Sequence, residues 1–189
     1  MNTESGIGAS QSRYCSGIIV LHWLMLLLFI GVYAAVELHE VYEDSSTGDL
    51  LIFWHYQLGY AIFALVWLRL IFRLASKVPP ADPGLPSFMH QLARGMHTLL
   101  YILMILMPIT GWLTLSAEGE SSTFLGMNIP MLHGLSHSFG EIVEEVHEIV
   151  GIAGYFLIGL HTIAALFHHY VLRDNTMRRI LPRLKHSNE

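Results

Sequence analysis

Four long apolar stretches constrain the fold of this chain more than any other feature. They cover residues 16–36, 54–74, 92–115 and 145–172, and each is long enough to cross a hydrocarbon layer about 30 Å thick as a helix. Only 13% of the 189 residues are charged, and the mean hydropathy is +0.48. Because backbone in lipid must satisfy its own hydrogen bonds, we expect an all-α integral membrane protein, a bundle of four transmembrane helices.

The remaining segments divide the chain further. We expect a disordered lead-in over residues 1–17, the transmembrane domain over 18–172 and a basic tail over 173–189. An acidic loop over residues 37–50, a proline-rich linker and a long loop over 116–140 would join the helices. The first apolar run could instead be a cleaved signal peptide, but its length and the internal pair His22 and Trp23 favour a retained helix.

The charged residues predict the orientation. With alternating spans, all ten basic residues fall on one side, and by the positive-inside rule that side is the cytoplasm, which also holds both termini. The basic residues are Arg13, Arg69, Arg73, Lys77, Arg94, Arg173, Arg178, Arg179, Arg183 and Lys185. The opposite side collects eleven carboxylates and no Lys or Arg: Glu37, Glu40, Glu43, Asp44, Asp49, Glu118, Glu120, Glu141, Glu144, Glu145 and Glu148.

Two histidines lie fourteen residues apart in the fourth apolar stretch, at His147 and His161. At about 100° and 1.5 Å per residue, both rings leave one face of the helix, roughly 21 Å apart along its axis. His55 starts the second span at the level of His147, and His22 lies in the first span at the level of His161. The topology therefore predicts two facing pairs, as bis-imidazole ligation of two haem irons within a helix bundle requires.

Alternatives to this ligand set remain open. Buried histidines in membrane helices can simply form hydrogen bonds between helices, and His97 could replace His22 at the inner level. A glycine follows each outer histidine by one turn, at Gly59 and Gly151. These glycines would leave room for a flat macrocycle, although small residues also let transmembrane helices approach closely.

Three further residues are candidates near the inner level. Arg69 and Arg73 stand where they could meet haem propionates or lipid phosphates. His168 shares the helical face of His161 about two turns nearer the cytoplasm. It is therefore a candidate contact for a quinone headgroup, or an interfacial histidine.

Several motifs together resemble the bacterial cytochrome b561 family. They are LHWL in the first span, WHYQLGY in the second, HTLLYILMILMPITGW in the third and HEIVGIAGYFLIGLHTIAALFHHYVLRDNT in the fourth. The resemblance implies a diheme, quinone-reactive oxidoreductase of the bacterial inner membrane, similar to the superoxide oxidase. It also implies two haem b groups held by His22, His55, His147 and His161, and ubiquinone near the cytoplasmic haem beside His168.

The acidic outer face leaves the electron donor open. Its field repels superoxide, an anion, and suits a cationic or protein donor better. The alternative function is therefore a membrane-anchor cytochrome b subunit for a redox protein docked on that face. A haem-free metal carrier would need a polar path across the bilayer, and the spans carry charged residues only towards their ends. Besides the lipid bilayer we expect no nucleic-acid partner, and a homodimer is compatible with the sequence.

Overall fold

Four long helices form the fold. The computed structural model describes residues 13–77 and 84–182. Within them, the α-helices are α1 (Ser16–Val41), α2 (Ser46–Ala75), α3 (Ser87–Glu118) and α4 (His137–Phe167), and α4 continues as a π-helical turn over His168–Leu172. All four are long and apolar enough to span a membrane. The four-helix membrane fold expected from the sequence is confirmed, while residues 1–12 of the lead-in and 183–189 of the tail lie outside the described residues.

The acidic loop expected over residues 37–50 is much shorter in the structure. Only residues 42–45 separate α1 from α2. The Ser45 hydroxyl accepts a hydrogen bond from the Gly48 backbone N–H at 3.2 Å and donates one to the Tyr42 carbonyl at 2.7 Å, which caps α2. The expectation was wrong because hydropathy marks the part of a helix that lies in lipid, and both helices continue beyond it.

The long loop over residues 116–140 also contains more structure than we expected. Strands β1 (Ser122–Phe124) and β2 (Met127–Ile129) pair antiparallel. Leu125 (φ 50°) and Gly126 (φ 78°) form the two-residue turn between them, in the left-handed conformation that such hairpins need. The Ser136 hydroxyl accepts a hydrogen bond from the Phe139 backbone N–H at 3.2 Å, so α4 begins at His137 rather than near Glu145.

The helices pack as two pairs, α1 with α2 and α3 with α4. A buried cluster of Met25, Ile62, Val66 and Met104 joins α1, α2 and α3 near the middle of the bundle. The α4 helix approaches α1 at Gly154, where a Cβ would lie 2.2 Å from the Tyr33 hydroxyl. The histidines described below face one another across the interface between the two pairs.

Charge separates along the bundle, and we name its ends accordingly. The basic end contains the start of α1, the end of α2 and the tail: Cys15 Sγ lies 3.2 Å from Ser76 Oγ, and the Arg13 guanidinium donates to the Arg178 carbonyl at 2.6 Å. The acidic end contains the α1–α2 turn and the hairpin, where Gln57 donates to the Thr123 carbonyl. The outer carboxylates named above belong to the acidic end, and Arg183 and Lys185 lie outside the described residues.

Candidate cofactor site

His55 and His147 face each other from α2 and α4 in the half of the bundle nearer the acidic end. Their ring centres are 6.2 Å apart, and the ring planes cross at 73°. His55 Nδ1 lies 3.1 Å from the carbonyl of Val32 on α1. A carbonyl only accepts hydrogen bonds, so Nδ1 carries the proton. This leaves the lone pair of His55 on Nε2.

The partner of His147 fixes the same tautomer. The Thr110 hydroxyl donates its only proton to the Met107 carbonyl at 2.9 Å, so its oxygen accepts from His147 Nδ1 at 3.0 Å. Nε2 of His147 is therefore also free of a proton. A histidine that binds a metal through one ring nitrogen typically donates from the other in this way. Both rings at this level are in the form that ligation requires.

A second pair lies nearer the basic end. His22 on α1 and His161 on α4 have ring centres 6.3 Å apart, with planes crossing at 70°. His97 on α3 lies closer to His161, at 5.3 Å between ring centres. His97 Nδ1 donates to the Ala93 carbonyl at 2.6 Å. The inner level therefore contains three imidazoles, and the structure brings together both of the inner pairings considered from the sequence.

The ring spacings can be compared with bis-imidazole ligation. A bond from a metal to an imidazole nitrogen is about 2 Å long, and that nitrogen lies about 1.1 Å from the ring centre, so rings on opposite sides of one iron have centres roughly 6 Å apart. The distances of 6.2 Å and 6.3 Å agree with this value, and the 5.3 Å of the His97 pairing is shorter. The spacing therefore favours His22 over His97 as the partner of His161.

Arg69 contacts the inner pair directly. Its guanidinium lies 3.1 Å from His22 Nδ1 and stacks over the Tyr101 ring at 5.5 Å. Arginine only donates, so His22 here accepts at Nδ1 and carries its proton on Nε2. Ligation through Nε2 requires the opposite tautomer. A metal bound at His22 Nε2 would therefore require Arg69 to leave Nδ1, and the guanidinium would then be available to an anionic group nearby.

The glycines next to the outer pair leave space beside the rings. A Cβ added at Gly59 would meet nothing within 4 Å, and one at Gly151 would meet only the Met107 methyl, at 3.5 Å. A flat macrocycle beside His55 and His147 needs such space. At Gly111 on α3 an added Cβ would lie 3.2 Å from His147 Cε1, so this glycine, which the sequence analysis did not single out, makes room for the ring itself.

The other predicted residues lie near the basic end. Arg73 stacks over the Tyr14 ring at 5.6 Å rather than against a histidine. His168 starts the π-helical turn, and its side chain is 19% exposed. The neighbouring His169 has a buried Nδ1 atom with no hydrogen-bond partner in the described part of the chain. No sequence pattern could indicate that this atom is buried, because its burial depends on how the turn packs.

A cleft of about 260 Å³ opens at the acidic end between α2 and the hairpin. Asp49, Tyr56, Gln57 and Ser122 are among its lining residues, and the Tyr56 ring centre lies 6.2 Å from that of His55. The cleft is therefore lined by the residue that directly follows His55 in the chain, so it opens next to the outer pair. Over residues 13–77 and 84–182, no three His, Cys, Asp or Glu side chains converge on a position that could hold a bare metal ion.

Comparison with known proteins identifies the family of the chain. The family of prokaryotic cytochrome b561 matches residues 13–183. Cytochrome b561 homolog 1 of Escherichia coli is 35% identical over 93% of this chain and 100% of its own length. The probable superoxide oxidase CybB of Yersinia pestis is 33% identical over 92% and 98%, and cytochrome b562 of Cereibacter sphaeroides is 26% identical over 86% and 91%. The chain therefore belongs to the prokaryotic cytochrome b561 family, whose members are multi-pass proteins of the bacterial inner membrane with a role in electron transfer by b-type haem.

Proposed function

We propose that the chain is a diheme cytochrome that transfers electrons between a donor at the acidic end and ubiquinone at the basic end. The observation that carries the proposal is the repetition of one geometry at two levels. His55 with His147 and His22 with His161 have nearly equal ring spacings, 6.2 Å and 6.3 Å. The α4 helix contributes one imidazole to each pair.

The residues at the two levels have distinct roles in this proposal. Haem iron, when bound, supplies one-electron redox chemistry, and the protein supplies ligands and their surroundings. His55 and His147 would hold one haem through Nε2, while Val32 and Thr110 fix their tautomers. His22 and His161 would hold the second, and Arg69 would be the partner of a haem propionate there. Arg73, which stacks on Tyr14, is a second candidate for a propionate or for a lipid phosphate.

Two observations support a quinone site at the basic end. His168 lies on the same face of α4 as His161, about 10 Å nearer that end, and its ring is largely buried. The buried His169 Nδ1 lacks a partner in the described residues, and a buried polar atom of this kind costs free energy unless a ligand or water meets it. A quinone carbonyl or hydroxyl would fit both rings.

Two opposing observations bear on the identity of the electron donor. The relative from Yersinia pestis is named a probable superoxide oxidase, which supports superoxide as the donor here. The acidic end, with eleven carboxylates and no Lys or Arg, opposes it because it repels anions. That charge favours the second candidate, an anchoring cytochrome b subunit whose partner is a basic redox protein docked at the acidic end.

Charge also supports an orientation. The concentration of Lys and Arg at the basic end supports a cytoplasmic location for that end, and with it for both termini, under the positive-inside rule. Electrons would then enter from the periplasmic side and reach quinone on the cytoplasmic side.

The haem content of single-histidine variants tests the ligand set. We expect about two haems per chain in a pyridine haemochrome assay, and about one in His22→Ala, His55→Ala, His147→Ala or His161→Ala, because each removes one of the two imidazoles that would hold a haem. His97→Ala is the matched control and should keep both haems. If His22→Ala keeps its full haem content and His97→Ala loses haem, then His97 rather than His22 is the inner ligand.

A further inference from the structure

His168 and Asp174 form a hydrogen-bonded pair where α4 ends. After His168 the helix widens into the π-helical turn, and Arg173 ends it in the left-handed conformation, with φ 54°. The chain then folds back, and the Asp174 backbone N–H donates to the His168 carbonyl at 3.2 Å. This reversal brings Asp174 Oδ2 to 2.5 Å from His168 Nδ1.

The Asp174 carboxylate is buried and held in place. Its side chain is only 6% exposed, and Oδ1 accepts from the Thr176 backbone N–H at 2.8 Å. Burial raises the pKa of Asp174, but the hydrogen bonds from His168 and Thr176 together outweigh it and lower that pKa below its ordinary value. The group is therefore an ionised carboxylate at neutral pH.

An ionised carboxylate determines the chemistry of the ring that it contacts. Because it only accepts, it keeps a proton on His168 Nδ1, and Nε2 becomes the nitrogen that gains or loses a proton. Buried Asp–His pairs in hydrolases use this arrangement to hold the imidazole and stabilise its charged form, while the carboxylate stays ionised. Within the described residues, the titratable group that contacts Asp174 is His168, and its other partner, Thr176, is uncharged.

We propose that Asp174 is a positioning residue that makes His168 the proton-exchanging group of the quinone site. The inference rests on the proposed quinone site at the basic end. Reduction of a quinone to a hydroquinone takes two electrons and two protons, so two one-electron donors are oxidised for each quinone reduced. One proton passes from His168 Nε2 to a quinone oxygen, and the ring recovers it from the aqueous phase at the basic end; the second proton reaches the other quinone oxygen directly from that aqueous phase. Asp174 keeps its negative charge throughout.

Single-turnover reoxidation tests the proposal without knowledge of the natural donor. Haem-loaded full-length protein is reduced with a stoichiometric amount of dithionite, so that none remains to reduce the quinone directly, and is mixed with a short-chain ubiquinone in a stopped-flow instrument. In Asp174→Asn we expect the maximal reoxidation rate to fall roughly 100-fold, the scale of general acid–base catalysis, with little change in the half-saturating quinone concentration. His168→Gln should lower the rate and also raise that concentration, because it removes the contact itself.

Controls separate positioning from folding. Asp44→Asn, an exposed carboxylate in the α1–α2 turn, removes the same charge elsewhere and should react as the wild type does. Asp174→Glu keeps the charge and should recover part of the rate. The ¹⁵N spectrum of histidine-labelled protein, with the His168 signal identified by its loss in His168→Gln, should show the Nδ1–H form in the wild type and a tautomer mixture in Asp174→Asn.

Three outcomes would overturn the inference, and they are distinguishable. A wild type that ubiquinone does not reoxidise would remove the proposed quinone site, and the inference with it. Normal wild-type reoxidation with an unchanged rate in Asp174→Asn would remove the role of Asp174 alone. A rate in Asp174→Asn that falls only in proportion to lost haem would show that Asp174 merely holds the fold together.

Discussion

At the residue scale, the hydrogen bonds behind the imidazoles decide which nitrogen can bind a metal. His55 and His147 each donate from Nδ1 to a fixed acceptor, one a carbonyl of α1 and the other a hydroxyl of α3. His22 instead accepts from Arg69. The outer level is therefore preorganised for ligation, whereas the inner level requires Arg69 to move. We infer that the outer site binds haem with less rearrangement of the protein.

Thr110→Val tests this preorganisation at the outer level. Valine has nearly the shape of threonine but cannot accept from His147 Nδ1, so the ring loses the partner that fixes its tautomer. Loss of such a partner typically lowers metal affinity by about 10- to 100-fold. We expect a haem titration of apoprotein to show that loss at one of two sites. Thr98→Val is the control, because the Thr98 hydroxyl bonds the Arg94 carbonyl of its own helix, and equal losses in both variants would contradict the assignment.

At the element scale, α4 depends on a close approach to α1. Tyr33 donates from its hydroxyl to the Gly151 carbonyl at 2.9 Å, and its ring lies 4.1 Å from that of Tyr155 between centres. Gly154 lies under the hydroxyl and leaves no space for a Cβ. This contact joins the two helix pairs between the levels of His147 and His161.

Gly154→Ala should therefore destabilise the protein. The added methyl must displace the Tyr33 hydroxyl, and we expect the free energy of unfolding to fall by about 1–3 kcal/mol, the usual cost of overpacking. Gly159→Ala, where an added Cβ meets nothing within 4 Å, should be neutral or stabilising by up to about 1 kcal/mol through helix propensity. Denaturation of the wild type and both variants in the same detergent measures these differences in the free energy of unfolding. Equal stabilities would mean that Tyr33 moves aside at no cost.

Helical periodicity and the alternation of the spans predicted the features that follow from position along a helix. They could not predict contacts that depend on how helices rotate against one another or on where the chain reverses direction. The spacing of His147 and His161, together with alternating spans, predicted both facing pairs, but it left open whether His97 or His22 faces His161, and the structure brings both of them to that ring. The roles of Thr110 and Gly111 could not be predicted, because they depend on the rotation of α3 against α4. The contact between Asp174 and His168 depends on a π-helical turn and a left-handed Arg173, and no hydropathy pattern encodes either.

At the scale of the whole molecule, the two ends of the bundle differ in the sign of their charge. The net charge is −5, and the acidic residues gather around the cleft and the start of α4, where Glu141, Glu144, Glu145 and Glu148 are all exposed. Such a field raises the local concentration of cationic partners and lowers that of anions. The donor class should therefore be visible in the salt dependence of the reaction.

Stopped-flow reduction of the oxidised protein measures that dependence. With a reduced basic electron-transfer protein, we expect the bimolecular rate constant to fall about tenfold or more as the Debye length shrinks from about 30 Å at 0.01 M salt to about 3 Å at 1 M. Replacement of the four α4 glutamates by glutamine should remove most of this dependence. With superoxide the rate should instead rise with salt, and a neutral hydroquinone, the control, should show no trend.

The α4 helix has a consequence for assembly. It carries one imidazole of each pair, fourteen residues apart on a continuous helix. Under the proposed ligand set, the first cofactor to enter fixes how far this helix is turned about its own axis. The other α4 imidazole would then already face its partner histidine before the second cofactor binds. Haem at one level should therefore raise the haem affinity of the other level, so a haem titration of the wild-type apoprotein should be cooperative, while a variant that lacks one pair still binds haem at the other.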